Sequence, residues 1–92
     1  MKLSQRLREA RKNKGLTLKD VARRCEVSIA YIGQLETDKA FRPKIELLYK
    51  LASYYDIPSD LLINEAGKIP QDIYWKIVNN PHLVQVIRNL EV

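Results

Sequence analysis

Thr17 to Glu36 reads TLKDVARRCEVSIAYIGQLE. Its apolar positions Leu18, Val21, Ala22 and Cys25 recur at helical spacing, break at Glu26 and Val27, and resume after Ser28 as Ile29, Ile32 and Leu35. The pattern predicts two short helices joined by a tight turn. Thr17 and Ser28 are both N-cap residue types, whose hydroxyl accepts an amide hydrogen that a first helical turn leaves unpaired. Asp20 stands where a capping box carries Glu or Gln, so that signature is approximate. Helices of about nine residues are marginal alone and must be held by packing, which the apolar positions supply.

What the second helix leaves outward is Ser28, Ala30, Gly33 and Gln34, with part of Ile29 and Tyr31. A solvated helix usually carries Lys and Glu there. A face this bare suits close approach by a large partner, and Gln can pair bidentately with adenine in the major groove. Taken alone, two such helices are more simply part of an ordinary α-helical domain; the remainder of the chain decides.

The 92 residues suit one compact domain with an appendage. The apolar runs are far too short for a membrane span, and the charged opening MKLSQRLREARK lacks the apolar core of a signal peptide. A cytoplasmic chain is therefore expected. Cys25, the single cysteine, falls on the inward stripe, as a packed thiol does. The net charge of +5 is segregated: residues 1–44 carry a balance of +7 and residues 45–92 a balance of −2. A basic surface confined to the half with the two-helix unit is the footprint of a phosphate binder.

In chain order, the first helix is predicted from about Leu3 to Lys14, with Leu3, Leu7 and Ala10 on one face. Arg6, Arg8, Lys12 and Lys14 are left to solvent or phosphates. Gly15 stops it, and Leu16 folds back onto it. Residues 37–43 read as a loop in which Phe41 anchors packing, with Pro43 suited to the first turn of a fourth helix over about Lys44 to Tyr55. Ile45, Leu48, Leu51 and Ala52 face inward there, while Tyr49, Tyr54 and Tyr55 lie at the core edge or an interface. Ser59 or Asp60 is expected to cap a short fifth helix through Leu61, Leu62 and Ile63.

Beyond the joint at Ala66-Gly67-Lys68, Ile69, Ile73 and Ile77 recur at helical spacing, widened by Tyr74, Trp75 and Val78. Asn80 and Pro81 cap and open a last helix with Leu83, Val86, Ile87 and Leu90 on one face. Two such short helices need a partner, either the core or a second copy of the chain.

Thr17 to Glu36 resembles the helix-turn-helix of the phage repressor and Cro family, also called the XRE family. The resemblance extends through Arg6-Leu7-Arg8 and Arg11, Gly15-Leu16, Ala22, Ile32 with Leu35-Glu36, Arg42-Pro43, Leu48 with Leu51-Ala52, and Leu61-Leu62, covering about Leu3 to Asn64. It implies an all-α, five-helix lambda-repressor-like DNA-binding domain over residues 1–66, followed by an extension of two short helices over residues 67–92. It further implies that Ser28, Ile29, Ala30, Gly33 and Gln34 face base edges, and that Arg23, Tyr31, Lys39, Arg42 and Lys44 meet phosphates, which position without reading sequence. The arginine matching Arg11 pairs in this family with the acid matching Glu36, so a structural ion pair is expected here. The sequence departs from the family at four places: Glu26 where glycine is common in the turn, Leu18 and Ile29 where polar residues are common, and Thr37-Asp38 for Asn-Gly.

The expected function is that of a sequence-specific regulator, a repressor binding double-stranded DNA as a homodimer on an inverted repeat. Ile73, Tyr74, Trp75, Ile77, Leu83, Ile87 and Leu90 form its dimer interface, since aromatic and apolar anchors dominate such contacts. Two alternatives stand beside it: an antitoxin that represses its own operon while its extension masks a protein partner, and a protein-interaction adaptor without DNA. No catalytic constellation, phosphate loop or zinc spacing is present, and the lone His82 is no metal site. No enzyme activity, cofactor, metal or membrane partner is expected.

Overall fold

A computed structural model of the chain describes residues 1–39 and 43–91. Among these the secondary structure is entirely helical: α1 (Leu3–Asn13), α2 (Leu18–Cys25), α3 (Ile29–Glu36), α4 (Ile45–Tyr55), α5 (Ser59–Glu65), α6 (Gln71–Val78) and α7 (Pro81–Arg88). The fold is all-α. Phe41 and Arg42 lie outside the described residues.

The core is drawn from α1 to α5 alone. Leu7, Val21, Ala22, Cys25, Ile32, Leu35, Leu47, Leu48, Leu51, Ala52, Tyr55, Leu62 and Ile63 are buried. On α4 the inward stripe is wider than periodicity indicated. Leu47 and Tyr55 join the core, whereas Ile45 is only partly buried, because a helix with neighbours on two sides buries more than one narrow face. Burial pushes the Tyr55 hydroxyl well above its ordinary pKa, with the Glu36 carboxylate adding to the effect. The Cys25 thiol is likewise raised by burial, as befits a packed, unreactive group.

One device ends each of α1 to α5. A residue with positive φ stands at Gly15, Glu26, Asp38, Asp56 and Gly67. The amide of the following residue then returns to the carbonyl five residues back: Leu16 to Arg11, Val27 to Ala22, Lys39 to Gln34, Ile57 to Ala52 and Lys68 to Ile63, at 2.9–3.1 Å. This Schellman closure satisfies orphan carbonyls and aims the next residue at the core. Leu16, Val27 and Ile57 accordingly pack against it. The turn between α2 and α3 is thus made without glycine, at Glu26 with φ 59°.

The starts of the helices differ in part from expectation. Thr17 and Asp20 form a complete capping box: the Asp20 amide donates to Thr17 Oγ1 at 3.0 Å and the Thr17 amide to Asp20 Oδ2 at 2.8 Å. The shorter aspartate reaches as well as Glu. Pro43 precedes the N-cap Lys44 instead of entering the first turn of α4. Pro58, not Ser59 or Asp60, occupies the cap position of α5, so Ser59 is already helical and α5 has no side-chain cap. Leu61 on α5 remains exposed while Leu62 and Ile63 are fully buried.

Two cations assigned to solvent or phosphates are held instead by carboxylates. Arg6 Nε donates to Glu65 Oε1, tying α1 to the end of α5, and Lys14 Nζ lies 2.8 Å from Asp56 Oδ2. The Glu65 bond raises the Arg6 pKa. α6 and α7 add nothing to the core; no residue of either is buried. They pack on each other, Asn80 capping α7 through the Leu83 amide with Pro81 as its first residue. The long axis of the molecule is 46 Å against 24 and 23 Å across.

Candidate nucleic-acid interface

α3 is positioned by what it buries. Ile32 and Leu35 enter the core, and Glu36 turns inward with them. An acid is stable there because Arg11 Nε lies within 2.9–3.1 Å of both its oxygens, and the guanidinium also donates to the Leu16 carbonyl. The pairing raises the Arg11 pKa, the hydrogen bond to Glu36 being the largest cause. α3 is thereby fixed at its C-terminal end to α1.

Entry into α3 is set by Ser28, whose Oγ accepts from the Tyr31 amide at 3.0 Å. That lone pair is committed, so the hydroxyl retains its proton for donation outward. At the other end, Thr37 Oγ1 donates to the Gly33 carbonyl at 2.9 Å and reaches the Gln34 carbonyl at 3.4 Å. In the sequence Thr37 reads only as a replacement in the turn; its β-hydroxyl four residues after Gly33 is the available signal.

The face so presented carries Ser28, Ile29, Ala30 and Gln34, all exposed, with Gly33 and Tyr31 half-buried. None of these six is charged. Ile29, counted partly among the inward positions, is 48% exposed. Gly33 has ordinary helical φ and lies beside Leu18: a Cβ built there would meet Leu18 Cδ1 at 4.0 Å, ordinary contact. Leu18 therefore packs between the core and the side of α3.

Charged residues of both signs adjoin α3 in the chain: Glu26 before it and Asp38 after it are exposed, with Asp38 lying 3.7 Å from Lys2 Nζ. Lys39 is exposed just past α3, and Lys44 is exposed at the N-cap of α4. Arg42 lies outside the described residues. Arg23 shares a depression with Leu16, Asp20, Arg24 and Tyr54, on the α2–α4 side, and no residue of α3 lines it. Arg24 itself stands 5.4 Å over the Tyr54 ring, which stacks on Tyr55. Lys44 also borders an open groove of about 520 Å³ with Ile45, Glu46, Lys68, Ile69, Gln71 and Tyr74, so the start of α4 adjoins the extension.

In the extension, Ile73, Tyr74, Trp75, Ile87 and Leu90 are exposed, and Ile77 and Leu83 half-buried. Tyr74 and Trp75 meet edge to face at 5.3 Å. Among the described residues no group of three or more His, Cys, Asp or Glu is arranged to hold a metal ion, and no helix is long and apolar enough to cross a membrane.

The helix-turn-helix domain family matches residues 4–68. The chain is similar to the HTH-type transcriptional regulator DdrOP3 of Deinococcus deserti, 41% identical over 81 residues, a match covering 79% of this chain and 62% of the relative. It is also similar to the HTH-type transcriptional regulator SinR of Bacillus licheniformis, 29% identical over 70 residues, covering 76% and 63% respectively. The chain thus spans about three-fifths of the length of these curated relatives. Among solved structures, the SinR protein/SinI protein complex contains a chain that superposes with a TM-score of 0.62 at 25% identity, covering 87% of this chain and 78% of that one.

Proposed function

From the premise that this chain belongs to the helix-turn-helix domain family, of the XRE type, we propose that it is a sequence-specific double-stranded DNA-binding transcriptional regulator. It acts as a repressor in the cytoplasm, as a homodimer on an inverted repeat, and is a binding protein rather than an enzyme. One observation carries the assignment: the exposed face of α3 is uncharged, while Lys39 just past its end and Lys44 at the start of α4 are exposed. A duplex offers the matching distribution, with neutral base edges in the groove and phosphates along its walls.

In this reading Ser28, Ile29, Ala30, Gly33 and Gln34 face the bases, and Tyr31, Lys39, Arg42 and Lys44 meet phosphates. Arg23 has the weakest support, because it lines a depression away from α3. Dimerisation uses Ile73, Tyr74, Trp75, Ile77, Leu83, Ile87 and Leu90, since no residue of α6 or α7 is buried in the monomer. Two-fold symmetry would set the recognition helices one DNA turn apart, about 34–36 Å. Selection of bound duplexes from a random pool, with the mass of the free protein measured by sedimentation, tests it. An inverted repeat and a dimer mass are expected; a pool left unbound at low salt rejects it.

A second reading adds a protein partner at the extension. The superposable SinR chain was solved in complex with the SinI protein, and the exposed apolar side chains of α6 and α7 are of the kind that such a partner covers. Co-purification of a stoichiometric protein that Trp75→Asp releases would support it.

A further inference from the structure

We propose that the exposed face of α3 reads thymine C5-methyl groups, with Ile29 as the principal reader. The DNA this chain selects is then specified at those positions by a methyl group rather than by a hydrogen-bonding edge. The inference rests on the DNA-binding assignment above and names the base chemistry that the same face takes.

Ile29 is the first residue of α3 and 48% exposed, although the helix has Ile32 and Leu35 to fill its core contact. The position is not one that helix formation favours for a β-branched residue. The remaining chemistry of the face is sparse. The Ser28 oxygen already accepts from the Tyr31 amide and keeps only its proton to donate, the Gly33 carbonyl already accepts from Thr37, and Ala30 offers only its methyl. Gln34 is left as the one side-chain amide. Where Ile29 and Ala30 stand side by side, with one hydroxyl donor before them and one amide after, bases are discriminated through apolar contact, and in the major groove the apolar group is the thymine methyl. Lysines outside the face match a polyanion, which favours a duplex over an apolar protein surface as its occupant.

The test uses the full chain and the duplex it selects. Each thymine is replaced singly by deoxyuridine, which keeps every hydrogen-bonding group and lacks only the methyl. Affinity should fall about fourfold at one or two positions per half-site, the effect of one buried methyl. In Ile29→Ala, a substitution to a better helix former at an exposed site, the thymine and deoxyuridine duplexes should bind alike at the position Ile29 reads. Ile29→Val, which keeps the branched carbon, should retain part of the difference; circular dichroism confirms that both variants fold. Cytosine at that position should bind better when methylated at C5. Deoxyuridine tolerated everywhere, or losses that persist unchanged in Ile29→Ala, overturns the inference while leaving DNA binding standing. Failure to select any duplex removes both.

Discussion

Arg11 Nε lies 2.9 Å from Glu36 Oε2, and the same guanidinium donates to the Leu16 carbonyl, so one side chain ties the end of α1, the joint that follows it and the last turn of α3. The Glu36 side chain is only 5% exposed. Removing the cation leaves a nearly buried carboxylate without its partner, so Arg11→Ala should lower unfolding free energy by about 3 kcal/mol. The double replacement Arg11→Met with Glu36→Leu should recover most of that in urea unfolding, because neither charge then remains to be desolvated.

The capping box of α2 has a titration signature. Hydrogen bonds from the Thr17 backbone, then from its side chain, hold the Asp20 carboxyl below its ordinary pKa. A carboxyl lowered in the folded state stabilises fully above its unfolded value and loses that contribution as pH falls through the folded value. NMR titration should give Asp20 a midpoint below about 3.9, the ordinary value. Thr17→Ala should move it upward and cost about 1 kcal/mol at neutral pH.

Glu26 holds a left-handed conformation that glycine adopts freely. Glu26→Gly should therefore raise stability by about 1 kcal/mol in thermal or urea unfolding. It also removes a carboxylate beside the entry to α3, so DNA affinity should rise, more at low salt than at high.

Base reading and phosphate contact separate on mutation. Gln34→Ala should cost roughly 1–3 kcal/mol at one base position and relax preference there. Lys39→Ala or Lys44→Ala should weaken all sequences alike and reduce the salt slope by about one. Affinities over a randomised site library at two salt concentrations distinguish the patterns; equal losses on every site from all three variants would refute the division.

Trp75→Asp combined with Ile87→Asp should reduce the solution mass to a monomer while α1 to α5 stay folded, since neither residue belongs to the core. A dimer that survives both charges would place the interface elsewhere.

The sequence displayed its helices wherever local chemistry sets them. Thr17, Ser28 and Asn80 accept the expected amide hydrogens, and Gly15 ends α1. What it hid was long-range or shared. Arg6 and Glu65 stand 59 residues apart, so nothing local marked their pairing. Asp56 and Asp38 end helices as Gly15 does, yet acidic residues there read only as turn formers. Leu47 lies off the stripe that periodicity marks and Tyr55 reads only as core edge or interface, because a single-face template underestimates a helix enclosed on two sides. On the α3 face, residue types were visible in the sequence, but the outward setting of Ile29 depended on which side Ile32 and Leu35 bury.

The placement of the only tryptophan divides the spectroscopy of this molecule. Indole emission arises wholly from Trp75, 57% open to water on α6 and outside the hydrophobic interior. A blue shift on concentrating the sample would thus register assembly. Denaturation of the five-helix body would leave that signal nearly silent and has to be followed by ellipticity or by the buried Tyr55 ring.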